Sequence, residues 1–233
     1  GSQLTSNRNQ IAILDFGSQY SHLIARRVRE FNVFCELYSC LVEPKILFRN
    51  KIIGIILSGG PHSVYEDSAP HLNPHVWAEI NSKKIPILGI CYGMQEIAHF
   101  FGGKIAPGQD REYGKAKISV IKENVESGKN ILKNMPDQFD MWMSHGDRLH
   151  SVPKDFKDIL RTENSPHAAI SHAERAIFGL QFHPEVTHSP LGTQILKNFC
   201  LDICNAPTDW NMLNIADEFV EEVRRKVGEN GRV

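Results

Sequence analysis

A cysteine framed by glycines follows a predicted strand and precedes a predicted helix, in the sequence G-I-C-Y-G at residues 89–93. The same layout with serine forces a nucleophile into a tight strand-to-helix turn, where flanking side chains would clash. The dipole and free backbone N–H groups at a helix amino terminus favour thiolate over thiol. An isolated motif of this kind also fits a buried structural cysteine beside two turn glycines. The pattern makes Cys91 a candidate nucleophile.

A histidine and a carboxylate follow the predicted strand 176–182, in the sequence Q-F-H-P-E at residues 181–185. Alternate residues of an extended backbone share a face, so His183 and Glu185 can point the same way while the intervening proline stiffens the pair. A thiolate nucleophile needs a base, and a histidine base needs a carboxylate to fix its tautomer. The sequence therefore predicts a triad with Cys91. A lone structural histidine is the competing interpretation, which the neighbouring carboxylate weakens.

A glycine pair follows another predicted strand, in the sequence L-S-G-G-P at residues 57–61. Acyl transfer builds negative charge on the substrate oxygen, and unobstructed backbone N–H groups stabilise that charge. The N–H groups of Gly60 and Tyr92 are the candidate oxyanion-hole donors. A glycine pair before proline is often only a turn, so this motif is weak on its own.

Composition excludes several other classes of function. The 233 residues are 41% hydrophobic and 23% charged, and the net charge is −1 at pH 7. This balance is typical of a globular domain and provides no basic patch for nucleic acid. We see neither an apolar run near the roughly 20 residues of a membrane span nor a signal sequence. We therefore expect a cytoplasmic protein that contacts neither nucleic acid nor membrane.

The cysteines and histidines give little support to a disulfide framework or a metal site. Five cysteines, an odd number without a C-x-x-C pair, favour a reducing compartment. Cys200 and Cys204 lie in an apolar run, so we expect them in a helix core. His62, His71 and His75 lie among prolines and serines, and carboxylates at helical spacing from them are no more frequent than chance provides. We predict no metal site.

Short apolar runs alternate with helical stretches along the first part of the chain, and strand-like runs with polar turns follow from residue 116. The first pattern is typical of parallel strands buried on both faces. We predict an α/β fold: an open, mostly parallel twisted sheet with flanking helices and additional antiparallel strands. Such sheets place their chemistry beyond the carboxyl ends of the strands. The predicted strands are 11–14, 33–38, 52–57, 85–90, 118–121, 139–143, 159–162, 168–171 and 176–182; the predicted helices include 94–101, 190–204 and 214–227.

A further helix is predicted after the turn D-F-G at residues 15–17, with Ser18 as its possible N-cap. Arg26, Arg27 and Arg29 lie toward its carboxyl end, where cations suit the helix dipole. We interpret these arginines as a solvated face rather than a binding site.

Together the three motifs resemble the class I, or triad, glutamine amidotransferases, which share the S-G-G-P loop, the G-x-C-x-G-x-Q elbow and the H-P-E strand end. The resemblance implies that Cys91 attacks the side-chain amide of glutamine and that Glu185 orients His183. It implies that His183 protonates departing ammonia and then activates water against a γ-glutamyl thioester. It also implies that glutamine is held by Gln95, Ser144, His145 and Gly146.

Within that family the chain is most similar to the GMP synthetases. This similarity implies that the ammonia converts XMP to GMP, with the ATP pyrophosphatase (synthetase) domain as partner. The chain contains no S-G-G-x-D-S-type phosphate loop, so we expect no cofactor here and expect ATP, Mg²⁺ and XMP to bind only that absent domain. The matching blocks are I-L-D-F-G-S-Q-Y at 13–20, A-R-R-V-R-E at 25–30, R-E-Y-G at 111–114, W-M-S-H-G-D at 142–147 and Q-F-H-P-E-V-T-H at 181–188.

We divide the chain into a tag or disordered terminus (1–8), a glutamine amidotransferase domain (9–205) and a helical linker toward the absent domain (206–233). Two other functions fit parts of the pattern. A cysteine γ-glutamyl hydrolase or peptidase on the same fold would use the same triad. A non-catalytic regulatory module would leave the three triad residues without chemistry to perform.

Overall fold

The computed structural model describes residues 8–106, 113–126, 130–144, 148–186 and 190–210. The strands are β1 (Asn9–Asp15), β2 (Cys35–Ser39), β3 (Lys51–Leu57), β4 (Ile87–Ile90), β5 (Lys104–Ala106), β6 (Tyr113–Val120), β7 (Gln138–Ser144), β8 (Arg148–Ser151), β9 (Phe156–Arg161), β10 (Ala169–His172) and β11 (Ile177–Leu180). The helices are α1 (Ser21–Glu30), α2 (Pro44–Leu47), α3 (Pro74–Lys83), α4 (Tyr92–Phe100) and α5 (Pro190–Lys197), with a 3₁₀ turn at Lys122–Asn124 and a π-helical segment at Asn198–Ile203.

Nine strands form the central sheet, in the order β2-β1-β3-β4-β11-β10-β9-β6-β7. The first five are mutually parallel, and the pairings from β11 to β7 are antiparallel. Strands β5 and β8 form a separate antiparallel pair. The predicted α/β class, with a parallel sheet and additional antiparallel strands, is confirmed.

Strand β1 shows why the parallel half lies inside the molecule. Ile11 and Ile13 pack into one apolar cluster, while Ala12 and Leu14 pack into another. Alternate residues of a strand face opposite sides of the sheet, so both faces are covered. The carboxyl ends of β1, β3, β4 and β11 consequently meet at one edge, where the predicted motifs lie.

The turn before α1 differs from the prediction that Ser18 caps this helix. The helix begins at Ser21, and its N-cap position is Tyr20 rather than Ser18. Asp15 Oδ1 accepts hydrogen bonds from Gly17 N–H and Ser21 Oγ–H, and this turn delays the start of the helix. Ser18 Oγ instead accepts from Tyr20 N–H within the turn.

The predicted elements that the structure describes are present, with shifted ends. The closing helix changes from α to π geometry after Lys197, and Cys200 and Cys204 are buried in or beside its last turn, as predicted. Strands β5 and β8 were not predicted, because three or four residues are too short for a clear alternation. The predicted helix 214–227 lies outside the described residues. Over the part of the chain that is described, we find no helix with the length and apolar character to cross a bilayer.

Candidate active site

Cys91 occupies a strained turn between β4 and α4. Its backbone has φ 52° and ψ −107°, a conformation that residues with side chains rarely adopt. Its N–H donates to Leu180 O at 2.7 Å, and its carbonyl accepts from Gln95 N–H at 3.1 Å. Backbone strain of this kind persists only where the surroundings enforce it, and it is common at active sites.

The elbow glycines are required by close backbone approach. A Cβ at Gly89 would lie 2.5 Å from backbone atoms of Gly93, and a Cβ at Gly93 would lie 2.4 Å from Leu57 O. Real Cβ atoms do not approach backbone so closely, so the helix rests directly on strands β3 and β4. The glycine spacing that marked the motif in the sequence thus has a steric cause.

The structure brings Cys91, His183 and Glu185 together. His183 Nδ1 and Glu185 Oε1 are 2.6 Å apart, with the Glu185 side chain fully buried and that of His183 11% exposed. The Cys91 side chain lies beside this imidazole, because both approach the same position at Gly59. As a thiol, Cys91 donates to Gln181 O at 3.3 Å. The geometry is the one a triad requires; the catalytic roles stay predictions.

The surroundings of His183 favour its charged form. Burial lowers the pKa of His183, but the charge and hydrogen bond of Cys91, with those of Glu185, outweigh it and raise this pKa from 6.5 to about 11. Glu185 Oε2 is buried and has no hydrogen-bond partner among the described residues. The carboxylate therefore depends on His183 for its electrostatic balance.

The glycine pair after β3 lies against the nucleophile and the base. A Cβ at Gly59 would lie 2.9 Å from His183 Cε1 and 3.7 Å from Cys91 Cβ, so a side chain there would displace the base. Within the described residues neither Gly60 N–H nor Tyr92 N–H donates a hydrogen bond to the protein. Both remain available for an oxyanion, and their assignment stays a prediction.

Ser58 fixes this glycine pair to the neighbouring loop. Its buried Oγ accepts from Phe16 N–H at 2.9 Å and donates to Gly59 O at 2.8 Å. The ring of Phe16 packs on Tyr92, with centroids 5.2 Å apart. The loops after β1 and β3 and the start of α4 therefore hold one another.

A second histidine–carboxylate pair was missed by the sequence reasoning. Glu96 of α4 is buried, with its Oε2 2.8 Å from His71 Nδ1 and its Oε1 accepting Leu72 N–H at 3.3 Å. Tyr92 Oη also donates to Pro70 O at 2.6 Å. These three bonds tie the loop before α3 to the nucleophile helix. The available signal was a glutamate within an apolar helix.

The residues predicted to hold glutamine are partly described. Gln95 is 5% exposed and lies one turn beyond Cys91 on α4. Ser144 ends β7, and the bridge between Met143 and Phe182 places that end beside the segment that carries His183 and Glu185. His145 and Gly146 lie outside the described residues. Where the chain is described, no group of three or more His, Cys, Asp or Glu side chains suits a metal ion.

The helix arginines differ from the predicted solvated face. Arg26 is exposed, but Arg27 Nε donates to Glu185 O at 3.3 Å. Arg29 donates to Cys35 O at 3.3 Å, and its guanidinium lies over the ring of Trp210. Both guanidinium groups donate to backbone carbonyls, which a sequence pattern of basic residues cannot reveal.

Comparison with known proteins identifies the family. The family model "Glutamine amidotransferase class-I" matches residues 12–203. Proteins named GMP synthase (glutamine-hydrolyzing) from Schizosaccharomyces pombe and Saccharomyces cerevisiae are 50% and 45% identical over 231 and 233 residues. These matches cover 99% and 100% of this chain but 42% of each relative, so the chain spans about two fifths of their length.

Solved structures give the same picture. A protein from Thermoplasma acidophilum, described as a candidate GMP synthase subunit, superposes with a TM-score of 0.66 at 29% identity, covering 85% of this chain and 94% of that one. A glutamine amidotransferase from Thermotoga maritima superposes with a TM-score of 0.58 at 21% identity, covering 93% and 92%. The second likeness concerns the fold alone.

Proposed function

The chain belongs to the class-I glutamine amidotransferase family, and from this premise we propose that it hydrolyses glutamine to glutamate and ammonia. The observation that carries the proposal is the hydrogen-bonded pair of His183 and Glu185 beside Cys91, which lies at a strained strand-to-helix turn. Nucleophile, base and orienting carboxylate are the three groups that thiol-based acyl transfer needs.

The first half of the proposed reaction forms a thioester. The Cys91 thiolate attacks the side-chain amide carbon of glutamine, and the carbonyl electrons move to the oxygen. The backbone N–H groups of Gly60 and Tyr92 stabilise this oxyanion. The His183 imidazolium then gives its proton to the amide nitrogen as the carbon–nitrogen bond breaks, so ammonia leaves and the γ-glutamyl thioester remains.

The second half depends on a change in His183. Once sulfur is bonded to carbon, its negative charge is gone, and with it the main influence that holds the pKa of His183 near 11. The pKa falls, so the neutral imidazole can take a proton from water while the water oxygen attacks the thioester carbon. Release of glutamate restores the thiolate, and the proton on His183 restores the starting imidazolium.

We assign substrate binding to Gln95 and to the backbone around Ser144, His145 and Gly146. Gln95 supports this assignment by its position one turn from Cys91. The end of β7 supports it through the bridge between Met143 and Phe182. Both segments reach the edge of the sheet that carries the elbow, so a glutamine lying there would be bound at both ends.

We propose that the ammonia is used to convert XMP to GMP in purine nucleotide biosynthesis. The support for this use is the 50% identity to the S. pombe GMP synthase, of which this chain covers 42%. The proposed partner is an ATP pyrophosphatase (synthetase) domain, which would bind ATP, Mg²⁺ and XMP, with no cofactor in this chain. We place the protein in the cytoplasm, where its buried free cysteines stay reduced.

The decisive experiment measures ammonia release from glutamine by this chain alone and with a synthetase domain supplied with ATP and XMP. Release in either mixture that is lost in Cys91→Ala supports the glutaminase. Release in neither, with Cys91 also unlabelled by a glutamine-like electrophile, overturns it. Turnover of γ-glutamyl peptides without turnover of glutamine would identify a peptidase on the same fold instead.

A further inference from the structure

Helix α1 and the residue before it contact the segment that carries the base. The Tyr20 ring packs edge to face on the His183 imidazole, with centroids 5.5 Å apart and ring planes at 66°. Arg27, on the same helix, donates from Nε to Glu185 O at 3.3 Å. Residues seven apart lie on one helix face. One face of this helix therefore reaches both ends of the H-P-E segment.

The contacts of the His183 imidazole other than Tyr20 do not prevent the ring from tilting. Glu185 holds Nδ1, the Cys91 side chain lies beside the ring, and Gly59 lies close to Cε1. A single hydrogen bond at Nδ1 permits the ring to tilt about that bond. An aromatic neighbour packed against the imidazole, such as Tyr20, opposes the tilt.

The ring of Tyr20, rather than its hydroxyl, makes the contact. Among the described residues the Tyr20 hydroxyl has no hydrogen-bond partner. Arg27 acts on the backbone instead, since its acceptor is the Glu185 carbonyl and not the carboxylate. The two side chains therefore act on orientation by different means.

We propose that Tyr20 and Arg27 are positioning residues that keep the His183–Glu185 pair aligned with Cys91. The inference rests on the glutaminase function proposed above. Neither residue exchanges protons with the substrate; each limits the freedom of a group that does. Misalignment of a reacting group lowers the rate of the chemical step more than it lowers substrate affinity.

The test compares Tyr20→Ala, Tyr20→Phe and Arg27→Ala with the exposed Arg26→Ala of the same helix as matched control. Ammonia release gives kcat and KM, and the alkylation rate of Cys91 by a small neutral electrophile is followed from pH 6 to 10. We expect Tyr20→Ala to lower kcat about 3- to 10-fold with little change in KM. The alkylation of Cys91 at pH 7 falls in this variant as well, because a tilted imidazole stabilises the thiolate less.

Arg27→Ala should show the same pattern more weakly, while Tyr20→Phe and Arg26→Ala match the parent chain. Equal kcat and equal alkylation profiles for Tyr20→Ala and the parent would overturn the proposal, as would loss of activity in Tyr20→Phe. Tyr20→Leu, which keeps apolar bulk, takes the place of Tyr20→Ala if that variant does not fold. Absence of ammonia release both by the parent chain alone and with the synthetase domain, ATP and XMP, with Cys91 unlabelled by a glutamine-like electrophile, refutes the proposed function. The alkylation profiles with the small neutral electrophile still decide whether these residues position His183.

Discussion

Helix α4 and the nucleophile it carries lie beside two histidine–carboxylate pairs that look alike and differ in what they can do. His183 and Glu185 are 2.6 Å apart, and His71 and Glu96 are 2.8 Å apart. Each carboxylate is buried, at 0% and 3% side-chain exposure, whereas the histidines are 11% and 40% exposed. Pairing a histidine with a buried carboxylate is thus not what marks an active site in this molecule.

The difference lies in what the imidazoles face. His183 meets the sulfur of Cys91, whereas His71 stacks on His99 with centroids 5.3 Å apart. Glu96 also accepts from the backbone of Leu72, so its pair holds a loop to a helix. Proton transfer needs a reacting atom within hydrogen-bond reach, and only the first pair has one among its described contacts.

The largest effect expected is that of removing the sulfur. Cys91→Ala should lower ammonia release by at least about 10⁴-fold, because positioning without a nucleophile leaves little catalysis. Loss of the sulfur charge should also lower the pKa of His183 from about 11, which NMR titration of the imidazole measures. Cys40→Ala, which removes another buried thiol, is the matched control, and equal losses in both variants would contradict the comparison.

Replacing the first carboxylate should have the next largest effect. Glu185→Gln keeps a hydrogen-bonding group beside His183 but removes the charge that favours the imidazolium, so the pKa of His183 should fall. Ammonia release should drop roughly 10²- to 10⁴-fold and not vanish, as expected for impaired acid–base catalysis. The kcat measured across pH 6 to 10 checks both points. Unchanged kcat in this variant would remove Glu185 from the triad.

The reactivity of the Cys91 sulfur can be compared with that of the other thiols in the chain. Burial raises the pKa of Cys35 to about 12 and that of Cys40 to about 11, and it raises the pKa of Cys200 well above 9. At pH 7 these thiols remain protonated, whereas the Cys91 sulfur lies beside the charged imidazole of His183, so an electrophile should modify Cys91 at least about 100-fold faster. Peptide mapping by mass spectrometry counts the sites. Labelling of several cysteines in the folded chain would contradict this.

The raised pKa values of Cys35 and Cys40 also give a stability test at alkaline pH. In the unfolded chain a thiol ionises near pH 9, but Cys35 and Cys40 keep their protons until pH 11 to 12 when folded. Above pH 9 the folded state binds more protons, so the free energy of unfolding falls as pH rises, by about 1.4 kcal/mol per pH unit per thiol. Urea unfolding at pH 8 and 10 measures the slope. Cys40→Ala should reduce it, and an unchanged slope would contradict the assignment.

The sequence predicted the elbow and the base because their geometry is local. Cys91 lies between glycines whose spacing reflects direct backbone contact, and His183 and Glu185 are two residues apart in the turn that follows β11. The sheet class followed from strands that are apolar on both faces. These features need only neighbouring residues, so a single sequence carries them.

What the sequence could not predict depends on segments distant along the chain. In the sequence Glu96 has the pattern of a surface residue of a helix. Only the folded chain shows that the loop at Leu72 lies over it. In the sequence Arg27 has the pattern of a solvated residue, but in the folded chain it donates to the carbonyl of Glu185, which lies in a turn far along the chain. The N-cap of α1 is Tyr20 rather than the predicted Ser18, because Asp15 accepts hydrogen bonds in the turn before the helix. Tertiary contacts override the local pattern in each case.

Substitution in the His71–Glu96 pair should have the smallest effect on catalysis. It is also the clearest test of the difference between the two histidine–carboxylate pairs. Glu96→Gln retains an oxygen for Leu72 N–H but loses the charge that faces His71, so the loop before α3 should loosen. Leaving a buried polar group poorly paired costs about 1–3 kcal/mol in the free energy of unfolding, which urea titration measures. Ammonia release under folding conditions should change only a few-fold, because neither residue faces the sulfur. A loss near that of Glu185→Gln, in a variant as stable as the parent chain, would show that the second pair takes part in the chemistry.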